Sequence, residues 1–338
     1  MRTIKYVQIV LVILLLQSIK MSGQDMHFSH IHASPTHVNP AYTGMFNGTM
    51  RFVMNYKNQW SGIGKYNTAG FSADFKVAQM KNRDFFSMGG SFYFDNAGDL
   101  NWRTYNGNIQ LAYTKSLSKK RGHGLTLGLY AGVMQQSYDF TKARGFDIEP
   151  PSGVFKNSIL TYDAGLGVSW FYQIGRYSQV YAGYGLFHIN RPNVSTRETM
   201  ERLFMRHSVN VGLEWASKSR HALLPSFYYA KQGMHQEVLV GTFYRYEVNK
   251  NWKGKNQYLY LGAWARFHYV PKAYDGIDAV IASLRYDHFN WRFTFSYDIN
   301  VSLLSSASQG RGGPEVSIIY IHQSNKKNGN KVIYCPKF

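Results

Sequence analysis

The chain lacks any apolar run of the ~20 residues that a membrane-spanning helix needs; Tyr6 to Leu16, apolar apart from Gln8, is too short. It has one cysteine, Cys335, four residues from the end, so an intramolecular disulfide is excluded. No base is identifiable beside that thiol, and docking of the tail is the expected role. Proline is scarce, 9 residues against 31 glycines, which suits strands that bend and pack closely rather than disorder. Acidic residues are few, 19 against 38 Lys and Arg, for a formal charge of +19. Nucleic acid is the usual partner of such an excess. Here the cations sit in separate turns (Lys119-Lys120-Arg121, Lys218-Ser219-Arg220, Lys250 to Lys255, Lys326-Lys327) with no recognition helix or RNA-binding signature. Lipid phosphates or an acidic protein partner fit better, and no nucleic acid is expected. The chain also lacks a phosphate-binding loop, a dinucleotide fingerprint, a nucleophile elbow and a metalloprotease helix. The expectation is a non-enzyme with no cofactor. His27, His30, His32 and His37 lie close together, but apart from Asp25 no carboxylate or thiol cluster joins them. They read as polar residues of a segment docked at the periplasmic rim or in a lumen, not as a metal site.

What the chain does have is aromatic residues: 26 Tyr, 22 Phe and 7 Trp. In several stretches they gather on one parity. In 290–300, Trp291, Phe293, Phe295, Tyr297 and Ile299 alternate with Arg292, Thr294, Ser296, Asp298 and Asn300. A strand sends successive side chains to opposite faces, so this ribbon has one apolar-aromatic and one polar face. The pattern recurs: Phe52, Met54 and Tyr56 oppose Arg51, Val53, Asn55 and Lys57; Leu259, Leu261, Ala263, Ala265 and Phe267 oppose Tyr260, Trp264, Arg266 and His268. Recurrence along nearly the whole chain predicts an all-β fold, an outer-membrane β-barrel of about 14 antiparallel transmembrane strands, apolar toward lipid and polar inside. The expected strands begin at Thr49 and lie near 66–76, 86–94, 103–117, 123–138, 158–173, 178–188, 205–216, 221–231, 235–248, 256–269, 277–287, 290–300 and 314–323. Large inward residues such as Phe243 and Trp264 point to a partly filled lumen.

Four divisions follow. Residues 1–23 read as a signal peptide: Arg2 and Lys5 precede the apolar stretch, Ser22-Gly23 precede cleavage at Gln24, and no lipidated cysteine follows. Residues 24–48, punctuated by Pro35, Pro40 and Gly44, form an N-terminal periplasmic or lumen segment. The barrel occupies 49–323, and 324–338 is a periplasmic tail. With both ends periplasmic, the long connections 139–157, 189–204 and 301–313 fall outside, and most basic turns fall in the periplasm.

Six stretches, in order, carry a resemblance: Gln24-Asp25-Met26-His27-Phe28-Ser29; Asn39-Pro40-Ala41-Tyr42-Thr43-Gly44; Tyr56-Lys57-Asn58-Gln59-Trp60; Ser296-Tyr297-Asp298-Ile299-Asn300-Val301-Ser302; Ala307 to Gly313; and Cys335-Pro336-Lys337-Phe338. They resemble the PorP/SprF family of type IX secretion system membrane proteins. The resemblance implies an outer-membrane barrel supporting secretion or surface assembly of a partner adhesin of the gliding type, with the secretion machinery and that adhesin as partners. PorP-like and SprF-like subgroups both remain open, and a porin or solute transporter is the alternative. In this setting the tail residues Lys326, Lys327, Lys331, Val332, Ile333, Tyr334, Cys335 and Phe338 are candidate partner contacts. Arg311 is expected to tuck its glycine-rich loop into the barrel mouth by pairing Asp298 or Glu315, near Asn300.

Overall fold

In a computed structural model of the chain the alternation closes on itself. The structure describes residues 25–59, 66–80, 82–98, 102–118, 122–137, 158–175, 177–195, 200–218, 220–249, 257–271, 274–302, 305, 312–323 and 335–336. Fourteen strands run in chain order: β1 (Met50–Gln59), β2 (Tyr66–Gln79), β3 (Phe85–Ala97), β4 (Trp102–Ser116), β5 (His123–Ser137), β6 (Ser158–Gln173), β7 (Gln179–Phe187), β8 (Arg206–Lys218), β9 (His221–Gln232), β10 (His235–Asn249), β11 (Gln257–Val270), β12 (Tyr274–His288), β13 (Trp291–Asn300) and β14 (Gly313–His322). Each pairs with its neighbours in sequence, and β1 pairs with β14 from Met50↔His322 to Lys57↔Glu315, so the barrel has no free edge. Closure matters because hydrocarbon offers no partner to an unpaired strand edge.

The faces fall where the sequence parity puts them. Trp291, Phe293, Phe295, Tyr297 and Ile299 are exposed on the outer wall, while Thr294, Ser296, Asp298 and Asn300 are buried inside. The same holds for Met54 and Tyr56 against Arg51, Val53, Asn55 and Lys57. No helix among the described residues is long and apolar enough to cross a membrane; the crossing is made by strands.

Two boundaries differ from expectation for identifiable reasons. β3 continues past Phe94 to Ala97 because Asn67 and Thr68 of β2 still pair with Asn96 and Asp95, the Thr68 hydroxyl donating to the Asp95 carboxylate at 2.5 Å. β12 starts at Tyr274 rather than 277, and its register against β11 shifts where Arg266 pairs Ala279 and Phe267 pairs Ile277. The extra residue, Asp278, is a bulge that interrupts the two-residue period.

Residues 25–48 are not strand. They form two 3-10 turns, Ile31–Ala33 and Pro40–Tyr42, and one helical turn, Pro35–Val38. Pro35 and Pro40 each open a turn where a missing N–H costs nothing. This segment lies inside the barrel, and most of it is buried.

Candidate functional site: the occupied lumen

The segment enters at one end of the barrel and leaves at the other. Asp25 is held where β7 ends and β8 begins. His188 Nε2 contacts its carboxylate at 2.7 Å, Arg206 Nε lies 3.3 Å away and Gln232 Nε2 donates at 3.0 Å. His188 also contacts Asp163 at 2.9 Å, and Asp163 accepts from the Tyr130 hydroxyl at 2.6 Å. By connection length this is the outer end. Burial disfavours protonation of His188, but the Asp25 carboxylate followed by Asp163 outweighs it and pushes the imidazole up to about 9. Burial would raise Asp25, yet His188 and Arg206 hold its carboxyl well below the usual range. At the other end, Thr49 N–H donates to the His322 carbonyl at 2.9 Å, which starts β1 on the periplasmic side.

Between those ends the segment touches most of the wall. Ser29 and His30 donate their backbone N–H groups to Glu315 on β14, at 2.7 and 3.3 Å. The Ser29 hydroxyl donates to Asp298 on β13 at 2.6 Å. Asp298 is also ion-paired to Arg266 on β11 at 2.8 Å and lies 3.5 Å from Lys57 on β1. The bulged Asp278 takes the other side of the Arg266 guanidinium at 2.7 Å. Lys57, Asp298 and Glu315 are 1–2% exposed, so these are charges removed from water. Such charges persist only when compensated; the segment, a plug in the lumen, supplies hydrogen bonds to Asp298 and Glu315, while Lys57 relies on its ion pair with Asp298. His30 stacks on Phe243 with ring centres 5.0 Å apart and meets Trp264 edge-on at 5.0 Å, while His32 Nε2 reaches Ser226 at 3.2 Å. The histidines thus serve as polar rings wedged among inward aromatics.

The second half is a backbone lock. Asn39 accepts the Ala41 N–H at 2.9 Å and donates to the Val168 carbonyl at 3.0 Å. Pro40 and Ala41 lie against β5 and β6 at Gly128 and Gly167, where an added Cβ would collide with plug backbone at the first and with the Asn39 side chain at the second. Tyr42 gives its carbonyl to Arg51 at 2.9 Å, and its hydroxyl meets Asn210. Arg51 grips Asp74 with two bonds, 2.9 and 2.7 Å, and Asp74 accepts the Gly44 N–H at 2.6 Å. Gly44 has φ +76°, a conformation favouring glycine, and sits against the Ser87 side chain.

Five of the six resembling stretches, the sixth through Cys335, converge on this interior through described residues. Asp25 and Ser29 come from the first, Asn39 to Gly44 from the second, Lys57 from the third and Asp298 from the fourth. The family model described as Type IX secretion system membrane protein PorP/SprF matches residues 20–320. The chain belongs to that family. No curated protein matches it. Among solved structures, this PorP/SprF chain is similar to the CymD monoaromatic hydrocarbon channel (10% identity, 87% of this chain and 94% of that one, TM-score 0.50). It is equally similar to the Ralstonia pickettii toluene transporter TbuX (10% identity, 89% and 95%, TM-score 0.50). At such identity these likenesses show the fold, an outer-membrane barrel.

The sequence-predicted sites fare unevenly in this PorP/SprF barrel. Asp298 and Glu315 face the lumen as expected. Arg311 lies outside the described residues; among the described ones, Asp298 contacts Arg266, Lys57 and Ser29, and Glu315 accepts from Ser29 and His30. Gly312 and Gly313 do press against the wall: an added Cβ would collide with the Asp298 and Asn58 backbones respectively. Asn300 accepts from the N–H and hydroxyl of Ser302 at 3.0 and 2.7 Å, capping the end of β13. Of the tail, Lys326, Lys327, Lys331, Val332, Ile333, Tyr334 and Phe338 lie outside the described residues, as do residues 1–23. Cys335, a candidate both for docking the tail and for touching a partner, is fully buried at the mouth opposite the Asp25 clamp. Its N–H donates to Asn47 Oδ1 at 2.9 Å and its carbonyl accepts from Asn47 Nδ2 at 2.8 Å, so it docks the tail on the plug. Sequence reasoning missed the clamp at His188, Arg206 and Gln232, since nothing local ties those positions to Asp25.

Proposed function

We propose that this barrel serves the type IX secretion system as a non-enzymatic component whose lumen stays occupied. It supports secretion or surface assembly of a partner adhesin of the gliding type. The observation that carries this reading is the course of residues 25–48, clamped at the outer end by Asp25 and reaching the periplasmic mouth at Asn47. A solute porin needs a continuous aqueous path, and here the plug lies across the path, tied to buried charges on several strands. The names of CymD and TbuX favour a transport reading, but 10% identity carries only the fold. Residues 1–23 act as the export signal. The tail 324–338, brought to the periplasmic mouth through Cys335, and the basic periplasmic turns form the surface for machinery or an acidic region of the cargo; charge gives capture and the apolar Val332-Ile333-Tyr334 gives adhesion.

The test is gene deletion followed by mass spectrometry of surface and culture fluid. Loss of a large adhesin from the surface, restored by the full gene and poorly by a gene truncated after Gln323, is expected. Normal adhesin display combined with lost uptake of a small solute would replace this reading with the porin one.

A further inference from the structure

The lumen is divided in character. On β1 and β10 to β14 it is charged; on β3 to β5 the inward side chains are mostly hydroxyls, carboxamides and glycines. Between this largely uncharged wall, whose exception is Asp95 on β3, and the plug lies a chamber of about 260 Å³ in the outer half of the barrel, bordered at its rim by Trp102 and Glu201, on the plug side by Thr36 and His37 and at one side by the Asp25 clamp. Along β4, the successive inward positions Thr104, Asn106, Asn108 and Gln110 all line it, and Gln136 joins them from β5, where it is the cross-strand partner of Thr104.

Each of these carboxamides keeps an atom in hand. Gln110, 3% exposed, donates Nε2 to the Ser91 hydroxyl at 2.7 Å, and Asn108 donates to the same hydroxyl at 3.4 Å. Among the described residues the oxygens of Asn106, Asn108, Gln110 and Gln136 receive no hydrogen bond, and each is shielded from the chamber, so a donor there meets them when the carboxamide turns toward it. Buried amide oxygens are costly when unpaired, so a run of four marks a surface made to meet donors. Alternate residues of a strand repeat every ~6.8 Å, which is also the same-side repeat of an extended chain's main-chain groups. A carboxamide offers the same donor and acceptor pair as a peptide group. Tyr93, Tyr130 and Phe187, lining the same chamber, supply apolar surface for side chains.

We propose that this chamber binds a short extended polypeptide segment from the outside, through its main chain, with the plug in place. The proposal rests on the secretion reading for its biological setting: the segment belongs to the displayed adhesin, and the barrel holds what the system exports. The chamber lies just under the ~300 Å³ at which ligand pockets usually begin, which suits a few residues rather than a folded domain. Recognition through the main chain is tolerant of sequence, and the charged groups of the lining are already engaged, Asp25, Asp163, His188 and Arg206 with one another and Asp95 with Thr68.

The test uses the full-length protein in detergent, with blocked, uncharged decapeptides of alternating Ser and Val as probe, followed by calorimetry. The expected result is saturable binding that falls at least ~10-fold when alternate peptide nitrogens are methylated, since several main-chain hydrogen bonds are lost together. Asn106→Leu, Asn108→Leu and Gln110→Met, singly and combined, should weaken it in steps while the unboiled protein still migrates as a folded barrel. The methylation comparison needs no variant, so it stands even if a combined variant fails to fold. No binding, binding indifferent to methylation, or occupation of the chamber by maltotriose instead of peptide would each overturn the assignment. Failure of the secretion reading shows separately, as normal adhesin display in the deletion strain, and does not alter these binding results.

Discussion

Removing one charge at the centre of the plug contact should release the plug and leave the barrel standing. Asp298 is 2% exposed and holds three groups: the Arg266 guanidinium at 2.8 Å, the Lys57 ammonium at 3.5 Å and the Ser29 hydroxyl at 2.6 Å. In Asp298→Asn the shape is kept but the anion is gone. Arg266 retains Asp278, whereas Lys57 loses its ion-pair partner and stays buried. Taking one member from a buried pair costs ~3–5 kcal/mol. The strand ladder of β13 with β12 and β14 is untouched, so the cost falls on the docked state of the plug. At ~1.4 kcal/mol per decade, the released population rises by ~10² to 10³·⁵-fold. Limited proteolysis of the detergent-solubilised protein, with cleavage sites mapped by mass spectrometry, reads this directly: cuts within 25–48 should appear at protease levels that spare wild type, with β-rich circular dichroism unchanged. A variant as resistant as wild type would refute the claim that the buried charges hold the plug.

Other consequences can be checked in the same preparation. His188 is raised to about 9 from an ordinary 6.5, so its contribution to the outer clamp is complete below 6.5 and is lost as pH rises through 9; Asp25, lowered, contributes above its ordinary 3.8 and loses that on acidification. Proteolysis near residue 25 should therefore rise between pH 7 and 10, and Asp25→Asn should be labile already at pH 7. Gly44→Val combines a backbone at φ +76° with a clash on Ser87, costing ~1–3 kcal/mol and lowering the melting temperature; an unchanged melting point would remove the periplasmic half of the lock. Cys335 should resist iodoacetamide in the native barrel and react once unfolded; rapid native labelling would contradict its docking on Asn47.

The strands were legible because their information is local. Lipid outside and polar groups inside impose a period of two on each span, and fourteen spans with their faces could be read within a few residues. The period fails at Asp278, because a bulge adds one residue that alternation cannot register, and that bulge places the second carboxylate on Arg266. The plug was legible only as something other than strand. Its path is set by long-range complementarity: Ser29 to Glu315 and Asp298, Asn47 to Cys335, Asp25 to His188. Buried charges such as Lys57 and Arg51 were visible as lumen-facing, but their partners lie on other strands or in the plug. The motifs behind the family resemblance marked the right residues without showing that they meet.

The barrel's lumen is kept filled by the chain's own N-terminal segment, and conductance across a planar bilayer tests this most directly. Wild-type protein should show no steady ion current, and a variant lacking residues 25–48 should conduct once inserted. A wild-type barrel that conducts continuously, at the level of the plug-deleted variant, would contradict it.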